Sequence, residues 1–162
     1  MKSIYIARNT IVSNILDMTN PTPIQKTLYT AHATAVGGRE GHVKTDDGRV
    51  DLDVRMPKGL GGSGETGTNP EQLFAAGYAA CFGSAVGHIA RMKKLNPGTV
   101  TIDASVSIGA IDTGGFGLAV SLTAHLPDLA RADAEALVAA AHQVCPYSNA
   151  TRGNIVVDVK VA

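Results

Sequence analysis

The feature of this chain that most limits its fold is a run of residues without a formal charge, from Gln72 to Ala90. Its large apolar side chains fall on several faces of a helix, a pattern typical of a helix that is buried on most sides. Those side chains are Leu73, Phe74, Tyr78, Phe82, Val86 and Ile89. The preceding segment Thr68–Glu71 supplies a polar N-cap, a proline for the first turn and an acid beside the positive end of the helix dipole. The pattern predicts a central core helix that runs to about Leu95.

The same run is long enough to cross a membrane, and Gly83 and Gly87 within it form a GxxxG motif. Against a membrane span, Gln72, Ser84 and His88 are polar and many other residues are small, so the run is only weakly apolar. The remaining predicted elements also need an apolar partner for their own dry faces. We therefore expect this helix to be the core of a soluble domain that has no membrane partner.

Length and charge balance limit the number of domains and the class of partner. A chain of 162 residues is long enough for one compact domain. Its 14 Lys and Arg residues equal its 14 Asp and Glu residues, so no net positive field attracts nucleic acid. We expect residues 21–162 to form a single domain without a nucleic-acid partner, preceded by an N-terminal extension over residues 1–20.

The first residues do not resemble a clean secretory signal peptide, because Arg8 and Asn9 interrupt the apolar stretch. Two cysteines are also too few for a secreted protein that is held together by disulfides. We therefore expect the protein in the cytoplasm. Because no acid precedes Asp17, a weak transit peptide, a disposable leader and an upstream start codon remain alternative interpretations of this segment.

Alternating apolar and polar residues predict strands on both sides of the central helix. The order of elements, with three strands, a helix, two strands, a helix and a strand, favours hairpins over parallel crossovers. It predicts an α+β fold in which antiparallel β-sheet is wrapped around two central helices. The predicted strands cover residues 28–36, 39–45, 50–56, 99–110, 118–126 and 154–161, and the second helix covers residues 132–145.

Two patterns suggest a cofactor or a metal, but neither has the context that such a site needs. Gly59, Gly61 and Gly64 match a dinucleotide fingerprint, yet they follow a hairpin strand and lack the later strand with a terminal acid. The five histidines form no HExxH motif and no ligand-spaced pair with a cysteine. We therefore expect no bound cofactor and no metal ion.

Cys81 and Cys145 are the two cysteines of the chain, and each lies in or at the end of a predicted core helix. Free cysteines in such places are commonly small core residues. Pro146 ends the second helix next to Cys145, so we expect that sulfur to be partly open. Cys81 lies about 15 Å from the start of its helix, too far for the helix dipole to stabilise a thiolate. A reactive Cys81 therefore needs a cation from elsewhere in the fold.

Three segments of the chain, Gly37–His42, Thr68–Phe82 and His142–Asn154, resemble a known protein family. They are similar to the organic hydroperoxide resistance branch of the OsmC/Ohr family, and the resemblance extends over about residues 27–161. The segment around Cys145 separates this branch from the OsmC branch. Members of the family usually begin near the position of Met18 here, which sets the N-terminal extension apart.

The resemblance implies a thiol peroxidase that reduces organic hydroperoxides, including those of fatty acids, in the bacterial cytoplasm. It implies that Cys81 is the peroxidatic cysteine and Cys145 the resolving cysteine, and that the two form a disulfide during turnover. It further implies that Arg39 and Glu71 form an ion pair that orients the guanidinium at the reactive sulfur. This agrees with the need of Cys81 for a cation.

The resemblance also implies partners. In members of the family, dihydrolipoyl groups of lipoylated proteins reduce the disulfide again. Members act as intertwined homodimers. We therefore expect a lipoylated protein or another dithiol as the reductant, and a second copy of this chain as a permanent partner. The composition agrees with a second copy, since 18 glycines and no tryptophan leave a core that is either packed with small residues or completed by another chain.

Helix geometry conflicts with a site built simply from one chain. Glu71 and Cys81 are separated by about 15 Å along the axis of one predicted helix, so one Arg39 cannot easily touch both. Either the helix begins later than Pro70 indicates, or one subunit supplies Arg39 and Glu71 and the other subunit supplies Cys81 and Cys145.

Two other functions stay open from the sequence. One is an OsmC-type peroxidase with a different peroxide preference, and the other is a non-catalytic dimer that binds acyl chains or lipids. For the organic hydroperoxide peroxidase, Phe74, Tyr78 and Phe82 predict an apolar slot beside Cys81. Such a slot favours bulky organic hydroperoxides over hydrogen peroxide.

Overall fold

The computed structural model describes residues 23–162 of the chain. The chain divides into two units, Met1–His32 and Ala33–Ala162. Residues 23–32, the described part of the first unit, contain no helix or strand and are exposed. The predicted extension over residues 1–20 lies outside the described residues. All elements named below belong to the second unit.

The second unit has the α+β architecture that the order of elements predicts. Three strands come first, β1 (Ala33–Val36), β2 (His42–Thr45) and β3 (Asp51–Asp53). Helix α1 (Pro70–Lys93) follows, and then strands β4 (Thr101–Ala110) and β5 (Phe116–His125). Two helices, α2 (Arg131–Val144) and α3 (Pro146–Thr151), precede the last strand, β6 (Val156–Val161).

Local sequence determines both ends of α1. The Asn69 side chain accepts a hydrogen bond from the backbone N–H of Gln72 at 2.9 Å, and Pro70 occupies the first turn, where no intrahelical N–H bond is lost. At the other end Lys94 adopts a left-handed conformation, with φ of 56°, and closes the helix. The helix therefore begins at Pro70, and the alternative of a later start is wrong.

The core lies between the helices and one sheet. Strands β4, β5 and β6 form a sheet in that order, and α1 and α2 pack on this sheet and on each other. Their inward-facing residues form one apolar cluster, whose fully buried members include Tyr78, Phe82, Leu122 and Leu137. Burying an apolar side chain of this size contributes about 1.5–3 kcal/mol, so this layer supplies most of the stability of the fold.

One strand pair differs from the antiparallel arrangement that the sequence predicts. Strands β4 and β5 are antiparallel over their whole length, whereas β5 and β6 are parallel. A parallel pair needs a long crossover connection, and α2 and α3 supply it. The α+β class is confirmed, with a mixed sheet in place of a purely antiparallel one.

Helix α1 is less enclosed within one chain than its charge-free sequence predicts. Five exposed residues at helical spacing, which we call the α1 stripe, run along one side: Gln72, Ala76, Ala80, Ser84 and His88. By length and composition alone α1 is also apolar enough to cross a membrane, but its contacts with α2 and β4 are those of a core helix. The expectation of burial on nearly all sides is wrong for the single chain, because the α1 stripe has no cover within it.

Strands β1, β2 and β3 form a second, antiparallel sheet that contributes no residue to the core. From Ala33 to Asp53 no residue is buried. β1 begins at Ala33 and not at the predicted Leu28, because β2 ends at Thr45, opposite Ala33, and within the described chain β2 offers no further residue for pairing. Backbone hydrogen bonds at Thr68 join the end of this sheet to the start of α1.

A tight turn between β1 and β2 carries Arg39. Residues 38–40 form one turn of 3-10 helix after β1. Gly41 then passes so close to β1 that a Cβ atom on it would lie 1.7 Å from the carbonyl oxygen of Val36. Only glycine fits at this position, so the placement of Arg39 depends on Gly41.

The variant Gly41→Ala should lower the free energy of unfolding by about 3 kcal/mol, because the added methyl group collides with rigid backbone. Thermal unfolding followed by circular dichroism measures the change. Gly59→Ala is the matched control, since a Cβ atom there meets no heavy atom within 4 Å. Equal melting temperatures for the two variants would contradict the prediction.

Candidate active site

The structure brings the two cysteines together. The Cys145 thiol donates a hydrogen bond to the sulfur of Cys81, with an Sγ–Sγ distance of 3.5 Å. Cys81 lies on α1 and is partly exposed, whereas Cys145 joins α2 to α3 and is fully buried. Two thiols at this separation can form a disulfide after a small movement.

The burial of Cys145 corrects the expectation of a partly open sulfur. Pro146 does end α2, as predicted, but it also occupies the first position of α3. The chain therefore turns back as a new helix beside the sulfur, and Cys145 becomes the N-cap residue of that helix. The sequence signal for α3 is a proline at a first helical position, which is equally a signal for the end of the preceding helix.

Arg39 and Glu71 form a second pair. The guanidinium donates two parallel hydrogen bonds to the carboxylate, Nη1 to Oε2 at 2.7 Å and Nη2 to Oε1 at 2.6 Å. The Arg39 side chain is 31% exposed and that of Glu71 is 12% exposed. The hydrogen bonds from Arg39 hold the pKa of Glu71 below its usual value, against the effect of burial, so this carboxylate stays ionised.

The four predicted site residues lie in two pairs that do not meet within one chain. Glu71 is in the first turn of α1, and Cys81 follows about 15 Å further along the helix axis. Among residues 23–162 no hydrogen bond or ion pair joins Arg39 to Cys81 or to Cys145. The Arg39–Glu71 pairing and the Cys81–Cys145 pairing agree with the sequence analysis, while their assembly into one site needs a further contact.

The surroundings of Cys81 disfavour a thiolate in the single chain. Burial raises the pKa of the Cys81 thiol, and so does the hydrogen bond with Cys145. The backbone N–H of Tyr147 opposes this by donating to the sulfur, but burial is the largest effect. A reactive thiolate at Cys81 therefore still needs the positive charge that the sequence analysis called for.

The aromatic residues do not form the predicted slot in the single chain. Tyr78 and Phe82 are fully buried, so they belong to the core and offer no surface to a substrate. The exposed part of the aromatic surface comes from Phe74 and Tyr147, whose rings stack with centroids 5.8 Å apart. Tyr147 is not among the predicted site residues, because its position depends on how α3 folds back over α1.

The sequence also contains two other motifs, the histidines and the glycine-rich loop. Among residues 23–162 no group of three or more His, Cys, Asp or Glu side chains is placed to hold a metal ion. The 3-10 turn Lys58–Leu60 overlaps the start of the Gly59–Gly64 loop, and the loop does not lead directly into a helix, as a phosphate-binding loop would. The chemically distinctive groups are the two cysteines and the arginine–glutamate pair.

Comparison with known proteins identifies the family. A family model described as OsmC-like protein matches residues 61–160. The chain is 56% identical over 139 residues to the organic hydroperoxide resistance protein of Xanthomonas axonopodis pv. citri, an alignment that covers 85% of this chain and 97% of that protein. It is 51% identical over 135 residues to the organic hydroperoxide resistance protein OhrB of Bacillus subtilis, covering 83% of this chain and 96% of that protein.

Solved structures have the same fold. The crystal structure of an organic hydroperoxide resistance protein from Legionella pneumophila matches with a TM-score of 0.81 and 55% identity, over 85% of this chain and 99% of that chain. The resemblance carried by three sequence segments is thus confirmed over most of the chain. Sequence and fold together show that the chain belongs to the organic hydroperoxide resistance branch of the OsmC/Ohr family.

Proposed function

We propose that this protein is a cysteine-based peroxidase that reduces organic hydroperoxides to alcohols in defence against oxidative stress. The observation that carries the proposal is the 3.5 Å contact between the sulfur atoms of Cys81 and Cys145. The names of the Xanthomonas and Bacillus relatives support the substrate class. A pair of buried core cysteines with no role in chemistry is the simplest alternative, and it gives no reason for the sulfurs to touch.

In the proposed reaction the Cys81 thiolate attacks the terminal oxygen of the hydroperoxide. The O–O bond breaks, the alcohol leaves with a proton taken from solvent, and Cys81 becomes a sulfenic acid. The sulfur of Cys145 then attacks Cys81, so that an S–S bond forms and the S–O bond breaks. The departing hydroxide takes the thiol proton and leaves as water. The sulfur atoms need to approach from 3.5 Å to only about 2.05 Å.

The disulfide is returned to two thiols by a dithiol reductant in the cytoplasm, which we assign to the dihydrolipoyl group of a lipoylated protein or to another dithiol. Cys81 is the partly exposed sulfur and Cys145 is fully buried, so an entering thiol meets Cys81 first. A dithiol completes the exchange because its second sulfur displaces the first from the mixed disulfide.

A partly apolar cleft beside Glu71 supports an organic substrate. It has a volume of about 420 Å³, and its wall combines apolar residues such as Val106 and Ile108 with the polar residues Asn69 and Gln72. Apolar walls bind the organic part of a hydroperoxide, whereas hydrogen peroxide has no apolar part to bury. We therefore expect hydrogen peroxide to be a poor substrate.

The cysteine roles predict different behaviour in two variants. Cys81→Ser should abolish consumption of cumene hydroperoxide, whereas Cys145→Ser should still undergo one oxidation event but show no turnover driven by a dithiol. Rapid-mixing oxidation of the reduced proteins, followed by quantification of remaining peroxide, measures both. Wild-type protein should show a higher kcat/KM with a fatty-acid hydroperoxide than with hydrogen peroxide.

Three outcomes of this experiment would contradict the proposal. Equal single-turnover rates in Cys81→Ser and Cys145→Ser would contradict the peroxidatic role of Cys81 and the resolving role of Cys145. Equal kcat/KM for hydrogen peroxide and the fatty-acid hydroperoxide would favour an OsmC-type peroxidase with another preference. Thiols that are inert to every peroxide, in a protein that carries bound acyl chains, would favour a non-catalytic binding dimer.

We also propose that a homodimer completes the site, with Arg39 and Glu71 of one chain and Cys81 and Cys145 of the other. Three observations support this. The start of α1 at Pro70 keeps Glu71 away from Cys81 of the same chain. Burial raises the pKa of the Cys81 thiol within one chain, so a reactive thiolate there would need a nearby positive charge. The α1 stripe and the sheet β1–β3 are uncovered, and a second copy can bury both.

The dimer proposal predicts the pH dependence of Cys81. In the dimer, Arg39 of the other chain lowers the pKa of the thiol, so Cys81 reacts with iodoacetamide near pH 7. Arg39→Ala removes that charge and leaves burial to raise the pKa, so the alkylation profile should shift to higher pH. At an assay pH well below the pKa, each unit by which the pKa rises reduces the thiolate fraction about tenfold. The control Arg49→Ala removes an exposed arginine and should leave the profile unchanged.

Complementation tests which chain supplies Arg39. An Arg39→Ala chain and a Cys81→Ser chain are refolded together and their heterodimer is isolated by two affinity tags. A shared site predicts about half of the wild-type number of active sites, because one of the two sites then contains both an intact Arg39 and an intact Cys81. An inactive heterodimer would show that each site is built within one chain.

A further inference from the structure

The position of Cys145 depends on the short helix α3. Cys145 is the N-cap residue of α3, so its sulfur moves whenever α3 moves. A helix of six residues is not stable by itself, and contacts with α1, α2 and β6 hold it in place. The contacts that attach α3 to α1 therefore also determine the distance between the two sulfur atoms.

The buried residues of α3 are polar, which is unusual for a helix that packs on a core. Ser148 is fully buried and Thr151 is 7% exposed. Their hydroxyl groups meet the hydroxyl of Tyr78, which donates to Ser148 Oγ at 3.0 Å and lies 3.2 Å from Thr151 Oγ1. Tyr78 is itself fully buried on α1, about one helical turn before Cys81. We call these three residues the hydroxyl cluster.

A glycine allows α3 to lie this close to α1. The ring of Tyr147 rests on Gly77, where an added Cβ atom would lie 3.0 Å from the tyrosine oxygen and 3.3 Å from a ring carbon. The ring also contacts Phe74 and Tyr78. Apolar contacts of this kind hold two helices together but permit sliding, whereas hydrogen bonds have narrow limits of distance and angle. The hydroxyl cluster therefore supplies side-chain hydrogen bonds that limit sliding, in addition to the hydrogen bond from the Tyr147 backbone N–H to the Cys81 sulfur.

We propose that the hydroxyl cluster of Tyr78, Ser148 and Thr151 positions Cys145 for its attack on the sulfenic acid of Cys81. The inference rests on the proposed peroxidase function, but it concerns the second step, in which the S–S bond forms, the S–O bond breaks and water leaves. That step requires the two sulfur atoms to lie within narrow limits of distance and angle. A displacement of about 1 Å can slow such a reaction about a hundredfold. These are positioning residues, since none of them reacts.

The variant Tyr78→Phe keeps the ring and removes the hydroxyl. We expect it to slow disulfide formation at least about tenfold, while the rate at which peroxide first oxidises Cys81 changes less than about twofold. Rapid quenching with a thiol-blocking reagent, followed by mass spectrometry, separates thiol, sulfenic acid and disulfide. A slow second step also leaves the sulfenic acid exposed to more peroxide, so Cys81 sulfinic acid should accumulate in this variant.

Ser148→Ala removes another member of the hydroxyl cluster and should change the same step in the same direction. This second variant keeps the test valid if Tyr78→Phe folds poorly. The matched control is Ser63→Ala, because the Ser63 hydroxyl is exposed and accepts a hydrogen bond only from the backbone N–H of Glu65 in the same loop, at 3.3 Å. Disulfide formation in Ser63→Ala should equal that of the wild type.

A second oxidant separates this inference from the peroxidase function. Diamide accepts two electrons and two protons from a pair of thiols, so it forms the Cys81–Cys145 disulfide without a peroxide. Slower disulfide formation with diamide in Tyr78→Phe and Ser148→Ala than in the wild type supports the inference, even if the wild type were inert to peroxides. Equal diamide rates in the wild type and both variants, or equal slowing of the first oxidation and of disulfide formation by peroxide, would overturn it.

Discussion

The backbone hydrogen bonds of α1 set the separation between the chemical groups of this chain. Each residue of a helix advances about 1.5 Å, so the first turn and the middle of α1 cannot approach each other unless the helix breaks. The charged pair is attached to one part, and Cys81, the proposed nucleophile, is attached to the other. In the dimer that we propose, a second α1 alongside the first solves this problem, since it brings the first turn of one helix to the middle of the other.

The arginine–glutamate pair is suited to serve a group outside its own chain. A guanidinium has five N–H donors, and the two hydrogen bonds to Glu71 occupy only part of them. Glu71 is mostly buried, whereas about a third of the Arg39 side chain stays accessible. The carboxylate therefore fixes the plane of the guanidinium and leaves donors free. The charge is held in place before any partner arrives, which reduces the cost of ordering it later.

Local signals predict the parts of the fold that local physics controls. The cap at Asn69, the proline after it and the charge-free run are enough to place α1, and the two pairings of site residues agree with the resemblance. The folding of α3 over Cys145 and the parallel pairing of β6 depend on how distant segments pack, which no spacing in the sequence encodes. The role of Tyr147 was missed for the same reason.

The α1 stripe also has a consequence for the dimer that we propose. Alanine has no side-chain rotamers to lose, so covering Ala76 and Ala80 removes little conformational entropy. Small side chains also present little apolar area, so an unpaired chain exposes a weakly adhesive surface to unrelated proteins. Recognition along the stripe then depends on how closely two backbones can approach. In the dimer that we propose, the small side chains at Ala76, Ala80 and Ser84 supply the specificity, because a larger side chain at one of these positions would hold the two helices apart.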